Sequence, residues 1–136
     1  MTISNFKLVE LASKYHVALL LHNIINVEDL QTNKLKVFMN LILHFTIPDS
    51  SGAHFVAFVV RDKNAFYMDS FGTYPLHEVV QYCSKHNIRL AYNARVIQDL
   101  SSTSCGIYCF EFLKYIGNSG NLFKKASEFL DVFSMD

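Results

Sequence analysis

Two apolar segments separated by a short polar turn constrain the fold of this chain more than any other feature. The first segment is HFVAFVV at 54–60, and the second is AFYMDSF at 65–71. Val and Phe favour β-strands, and the intervening RDKN is typical of a turn, so the pattern predicts a β-hairpin. Gly72 and Pro75 follow the second segment and end it.

The hairpin register brings two ionisable side chains together. A turn of two or four residues pairs Val60 with Ala65, whereas a turn of three or five residues would shift the register by one. In the first register His54 and Asp69 lie on the same face of the sheet as diagonal neighbours, at a distance that an imidazole and a carboxylate can bridge. A polar pair without a chemical role at the end of the strands is the alternative interpretation.

Helical and strand patterns on both sides of the hairpin predict the rest of the fold. The spacing of apolar residues predicts helices at 6–15, 75–86, 105–116 and 121–133, and strands at 35–47 and 88–98. Residues 17–30 fit either a helix or a strand. The order of helix, central strands and later helices predicts an α+β domain with a small central mixed or antiparallel sheet. A length of 136 residues fits one domain.

Composition excludes several classes of protein. The chain is 51% hydrophobic and 18% charged, which is too apolar for a disordered chain. The apolar runs are much shorter than the ~20 residues that span a bilayer, and we expect no secretory signal and no membrane partner. Twelve basic and twelve acidic residues cancel, so the net charge gives no general attraction to nucleic acid. Three cysteines form no disulfide framework, and we expect a reducing compartment.

Cys105 is the candidate nucleophile. It follows the polar stretch Ser101–Ser104, which offers helix-capping side chains, and it starts an apolar stripe that predicts a buried helix ending at Gly117. The partial positive charge at a helix N-terminus lowers the pKa of a thiol and favours the reactive thiolate. For Cys83 and Cys109, packing in the core is the favoured interpretation. A zinc site at Cys105 and Cys109 would lack a second pair of ligands.

Gln98 completes the candidate site. It lies seven residues before Cys105, at the end of a predicted strand. From there its amide could point at the same oxygen as the backbone N–H of Cys105, and two such donors form an oxyanion hole for acyl transfer. Alone, a glutamine at this position would be interpreted as a solvated side chain.

The chain resembles the adenovirus-type, or adenain-like, cysteine proteases, within the larger clan that includes the SUMO-deconjugating Ulp proteases. The resemblance lies in GAHFVAFVV, YMDSFGTYP and IQDLSSTSCGIYCFEFL, which contain His54, Asp69, Gln98 and Cys105 in the family's order. The family has a His followed by an aromatic residue, an acidic residue before a Phe-Gly segment, and a Gln shortly before Cys-Gly. Its aromatic residue is usually Trp, whereas this chain has Phe55.

This resemblance implies a papain-like or adenain-like cysteine protease fold, with the catalytic Cys at the N-terminus of a buried helix. It implies one domain over 1–136 with the catalytic motifs in 52–117, and a Cys-His-Asp triad that uses no metal and no organic cofactor. The implied partners are protein substrates, namely precursor proteins of viruses or transposons cleaved during particle maturation, and an activating peptide. Zero net charge speaks against activation by DNA. The implied location is the host nucleus or cytoplasm, and the virion.

Three other functions remain open at this point. A ubiquitin-like or SUMO-like deconjugating protease would use the same residues, although the spacing between Gln98 and Cys105 argues against it. A YopJ-like acetyltransferase would pass the thioester to an amine, but the sequence shows no basic cofactor-binding insert. A non-catalytic interaction module on the same fold would fit the apolar composition.

Overall fold

Four α-helices and five strands make up the described part of the chain, which covers residues 3–46, 53–97, 105–118 and 120–133 of this computed structural model. The helices are α1 (Asn5–Lys14), α2 (His77–Lys85), α3 (Cys105–Ile116) and α4 (Leu122–Phe133). The strands are β1 (Ile24–Asn26), β2 (Phe38–Thr46), β3 (Ala53–Arg61), β4 (Asn64–Met68) and β5 (Arg89–Tyr92). Short 3₁₀ helices at Leu21–Asn23 and Val27–Thr32 flank β1, in the segment whose pattern left helix and strand open.

The hairpin of β3 and β4 has the predicted register. Val60 pairs with Ala65, and the last pair before the turn is Arg61 with Asn64. The turn therefore contains two residues, and Asp62, the first of them, has a φ of 56°. Two-residue hairpin turns require this left-handed conformation, which Asp tolerates better than most residues.

The five strands form one mixed sheet in the order β1-β2-β3-β4-β5. The three central strands are antiparallel to one another, whereas β1 is parallel to β2 and β5 is parallel to β4. The parallel pair β4 and β5 needs a crossover connection, and α2 lies within it. The predicted α+β class with a small mixed sheet is confirmed.

Helices cover both faces of the sheet, and β3 is buried along almost its whole length. Phe55, Ala57 and Val59 contribute to an apolar cluster with residues of α1, α3 and α4. The alternate residues of β3 contribute to a second cluster with α2 and the 3₁₀ helix Val27–Thr32. A strand buried on both faces has a continuous apolar sequence rather than an alternating one, which explains HFVAFVV.

Two predicted strands end earlier than their patterns indicated. The strand predicted at 65–71 ends at Met68, because the Asp69 carboxylate accepts a hydrogen bond from the N–H of Phe71 at 2.9 Å and starts a turn. The strand predicted at 88–98 ends at Tyr92, because the side chain of Asn93 binds the backbone of Asp69 instead of continuing the strand. The strand predicted at 35–47 begins only at Phe38.

The predicted helix that starts at Cys105 is present as α3. It is largely buried, and Gly117, with a φ of 52°, follows its last residue. This left-handed conformation is the usual end of a helix and favours glycine. Of the helices in the described part of the chain, none has the length and apolar character needed to cross a membrane.

Candidate active site

β3 and the turn after β4 bring His54 and Asp69 into contact inside the protein. His54 is the second residue of β3, and Asp69 directly follows β4. Nε2–H of the imidazole donates to Asp69 Oδ1 at 2.7 Å, and the two side chains are 3% and 1% exposed. A buried charge is costly unless it is paired, and this contact pairs the Asp69 carboxylate with the ring. The hydrogen bond also fixes the direction of the imidazole and leaves Nδ1 for another partner.

The Asp69 carboxylate is held by three donors. Besides His54, the hydroxyl of Thr73 donates to Oδ2, and the backbone N–H of Phe71 donates to Oδ1 at 2.9 Å. Burial alone would raise the pKa of this carboxyl, but the hydrogen bonds from His54, Thr73 and Phe71 outweigh burial and hold its pKa below the ordinary value. Asp69 is therefore ionised at neutral pH.

Two aromatic rings restrict the His54 imidazole. Phe71 stacks on it, with centroids 4.6 Å apart and an angle of 11° between the planes. Phe45 of the neighbouring strand β2 meets the same ring edge-on, at 5.4 Å and 84°. Both contacts are within the usual range of aromatic pairs, and together they keep the ring from rotating away from Asp69.

Cys105 is the second ionisable group that interacts with the imidazole of His54. It is the first residue of α3 and is 5% exposed, and it shares a hydrogen bond with His54. Burial would raise the pKa of the thiol, but the interaction with His54 and hydrogen bonds to the backbone of Phe55 and Gly106 outweigh it and lower the pKa below the ordinary value. The contacts of Cys105 therefore favour its ionisation.

The imidazole shows the matching shift. Burial acts to lower the pKa of His54, but the hydrogen bonds with Asp69 and Cys105 and their negative charges raise it from 6.5 to about 9. A lowered thiol pKa and a raised imidazole pKa both favour a thiolate beside an imidazolium at neutral pH. The arrangement can attack an electrophilic carbon through sulfur and deliver a proton from the ring.

The other two cysteines have the opposite character. Cys83 is 3% exposed, much like Cys105, yet burial raises the pKa of its thiol to about 11. Cys109 lies one helical turn after Cys105, and burial raises its pKa well above the ordinary value. Similar burial is therefore accompanied by opposite pKa shifts, and Cys105 differs through its contact with His54 and its hydrogen bonds to the backbone.

We expect iodoacetamide to modify Cys105 faster than Cys83 at neutral pH, because only the thiolate reacts. The rate at Cys105 should level off at a lower pH than the rate at Cys83, which should keep rising toward the Cys83 pKa of about 11. Mass-spectrometric mapping of the modified residues across a pH series measures both rates. In urea the two rates should converge, and equal rates in the native protein would contradict the ionised state of Cys105.

Of the four predicted site residues, Gln98 lies outside the described residues, as do Ser101–Ser104, the predicted capping residues. The structure brings together His54, Asp69 and Cys105. Sequence reasoning missed Asn93, whose amide binds the backbone of Asp69, and Thr73, which binds its side chain. A signal for Asn93 was available, since Asn is depleted in strands and interrupts the apolar pattern IRLAY.

A separate groove of about 470 Å³ lies at the opposite end of β2. Its lining is mainly apolar and combines residues 17–20 with the first residues of β2. None of the three site residues lines this groove. Within the described ranges, no group of three His, Cys, Asp or Glu side chains is arranged to hold a metal ion.

Comparison with known proteins finds similarity in structure rather than in sequence. No protein-family profile matches the chain, and no curated protein matches it in sequence. Among solved structures, the fold is similar to that of the ASFV pS273R protease, with a TM-score of 0.53 and 14% sequence identity. The match covers 99% of this chain and 68% of that one. The chain therefore shares the fold of a viral protease across its described elements.

Proposed function

We propose that this protein is a cysteine endopeptidase whose triad consists of Cys105, His54 and Asp69. The observation that carries the proposal is the continuous buried contact from Asp69 through His54 to Cys105, together with the raised pKa of the ring and the lowered pKa of the thiol. Perturbed groups in mutual contact are typical of active sites. The similarity to the fold of the pS273R protease supports the same conclusion.

In the proposed reaction the Cys105 thiolate attacks the carbonyl carbon of the scissile peptide bond and forms a tetrahedral oxyanion. The C–N bond then breaks, and the His54 imidazolium gives its proton to the leaving amine, which leaves a thioester on Cys105. Neutral His54 next takes a proton from water, the resulting hydroxide attacks the thioester, and the acid product leaves as the thiolate re-forms. Asp69 keeps the ring oriented and stabilises its charged form.

The oxyanion would be bound at the start of α3. The first N–H groups of a helix have no partner within the helix, and Cys105 is the first residue of α3, so we propose its N–H as one donor. For the second donor we propose the side chain of Gln98, on the basis of its position in the sequence. The donors would stabilise the negative oxygen of both tetrahedral intermediates.

For the substrate we propose precursor proteins of a virus or a transposon, cleaved during particle maturation. The support is the resemblance of the sequence motifs to adenain-like proteases and the fold shared with a protease of ASFV. A reactive thiolate needs reducing conditions to stay unmodified, and we place the reaction in the host nucleus or cytoplasm and in the virion. Activation by a peptide belongs to the same proposal.

The test offers the protein two kinds of substrate. We expect short Gly-containing peptides to be cleaved, and a peptide with an electrophilic C-terminus to form an adduct on Cys105. Ubiquitin-like proteins with the same electrophile should react slowly. Fast labelling by the ubiquitin-like probes with intact peptides would instead show a deconjugating protease. No cleavage, together with equally slow labelling of Cys83 and Cys105, would show a non-catalytic module.

A further inference from the structure

Asn93 is a buried amide whose hydrogen bonds are concentrated on one residue of the candidate site. It directly follows β5 and is 1% exposed. Its Oδ1 accepts the backbone N–H of Asp69 at 2.9 Å, and its Nδ2 donates to the backbone oxygen of the same residue at 2.6 Å. Nδ2 also donates to the backbone oxygen of Arg95 at 3.0 Å, so both amide hydrogens are used.

Further contacts join the segment that follows β4, residues 69–72, to the segment that follows β5, residues 93–97. The N–H of Ile97 donates to the backbone oxygen of Ser70 at 2.9 Å. Gly72, with a φ of 70°, lies so close to residue 95 that a Cβ at this position would be 3.0 Å from the carbonyl carbon and oxygen of Arg95. Residues 69–72 and 93–97 therefore dock against each other through backbone contacts, with Asn93 at the centre.

Only an amide can make the contacts of Asn93. The side chain at position 93 must accept one hydrogen bond, from the N–H of Asp69, and donate two, to the carbonyl oxygens of Asp69 and Arg95. The amide of Asn has one acceptor oxygen and two donor hydrogens. An aspartate at position 93 would have no hydrogens for the two carbonyl groups and would place a second carboxylate beside Asp69. The residue type is thus set by the backbone that it binds.

We infer that Asn93 is a positioning residue of the active site, an inference that rests on the proposed function. By fixing both backbone groups of Asp69, it sets the direction from which the carboxylate meets His54. It also holds the segment that ends at Ile97, the residue before Gln98. Asn93 therefore acts on the ionisation of Cys105 through Asp69 and His54, without touching either the ring or the sulfur.

The experiment compares Asn93→Ala with Asn40→Ala in the full chain. Asn40 is a matched control, because it is also buried, at 6% exposure, and its amide also donates to a backbone oxygen, that of Ala18 at 3.0 Å. It lies five residues before Phe45 on β2, about 17 Å along the strand from the site. Asn93→Ala removes three hydrogen bonds and Asn40→Ala removes one, so we expect the larger loss of thermal stability in Asn93→Ala. Stability alone therefore does not distinguish a positioning role from a structural one.

The informative measurement is the pH profile of iodoacetamide reaction at Cys105. We expect Asn93→Ala to move the profile upward by about one pH unit, so that the rate falls about tenfold on the rising part of the profile, below the pKa of the thiol. Cleavage should fall in kcat, with KM nearly unchanged. Asn40→Ala should leave the profile and kcat as they are in the unchanged protein. If Asn93→Ala does not fold, Asn93→Ser, which keeps one hydroxyl for one of the two backbone groups of Asp69, should show a smaller shift.

Identical profiles for the Asn93 variants, Asn40→Ala and the unchanged protein would overturn the positioning role. The alkylation profile needs no substrate, so it tests the role of Asn93 independently of peptide cleavage. A shifted profile in a protein that cleaves no peptide would keep the role of Asn93 and refute the peptidase. A peptidase with an unshifted profile would refute only the role of Asn93.

Discussion

Replacing Cys105 with Ala is expected to reduce peptide cleavage by at least about 10⁴-fold, because loss of the nucleophile leaves only the contribution of binding and oxyanion stabilisation. The side chain is small and buried at the start of α3, so Ala should fit the same space. We expect the variant to fold and to bind the peptide substrate with an affinity close to that of the unchanged protein. Steady-state cleavage of a peptide and thermal unfolding measure the two effects separately.

Cys83→Ala is the matched control for this prediction. Cys83 is also a free and buried cysteine, but it packs in the cluster on the opposite face of the sheet, with residues of α2 and β3. Its replacement should lower the unfolding temperature slightly and leave cleavage unchanged. If Cys105→Ala retained full activity, or if both variants lost it equally, another residue would have to be the nucleophile.

The contact between His54 and Asp69 follows from sequence because strands have a strict period. A two-residue turn fixes which positions face each other, and the pairing of Val60 with Ala65 then determines the sheet face of every residue in the hairpin. Helix patterns were equally informative, since α1, α3 and α4 each begin and end within a few residues of the predicted bounds. These predictions depend only on neighbours along the chain or across one turn.

Contacts that depend on loop conformation could not be predicted in this way. The predicted register places Phe71 opposite His54 on a paired strand, so it predicts that the two rings are neighbours. The strand instead ends at Met68, and the turn at Asp69 stacks the Phe71 ring flat on the imidazole. Asn93 was likewise assigned to a strand, the one predicted at 88–98, but it lies just after the end of β5. The stacking ring and the buried amide both depend on where two irregular segments meet, and no periodicity in the sequence encodes that meeting.

The ionisation of the site also depends on packing rather than on the sequence pattern. Burial alone would neutralise all three groups, since it raises the pKa of Asp69 and Cys105 and lowers that of His54. Their mutual contacts reverse each of these tendencies. The titration of each group therefore depends on the other two, and removal of one member should alter the titration of the others.

Asp69→Asn tests this dependence and should lower kcat by about 10²- to 10⁴-fold. The amide keeps the size of the side chain but not its charge, so the pKa of His54 should fall from about 9 toward or below 6.5. The imidazolium then no longer supports the thiolate, and the alkylation profile of Cys105 should move to higher pH. NMR titration of the His54 ring gives its pKa directly, and peptide cleavage gives the loss of rate.

Asp69→Asn should also change how the stability of the fold depends on pH. The direction of this change follows from the pKa shifts of His54 and Asp69. A raised His54 pKa stabilises the fold fully below the unfolded value of 6.5, and this contribution is lost as pH rises through about 9. The lowered Asp69 pKa stabilises the fold above its unfolded value, and its contribution is lost as pH falls through the folded pKa. The unchanged protein should therefore exceed Asp69→Asn in unfolding temperature most clearly between the unfolded pKa values of Asp, 3.8, and His, 6.5, where both contributions are present. The difference should shrink as pH rises through about 9 and in strong acid.

Asp131→Asn separates the buried pair from charge removal in general. Asp131 is 68% exposed and pairs with Arg95 at 3.0 Å on the surface, where solvent screens the interaction. Its replacement removes the same charge and should leave kcat, the His54 titration and the pH dependence of stability nearly unchanged. If Asp69→Asn behaved like Asp131→Asn in all three measurements, the ring would not depend on Asp69, and His54 would have to owe its charge at neutral pH to Cys105 alone.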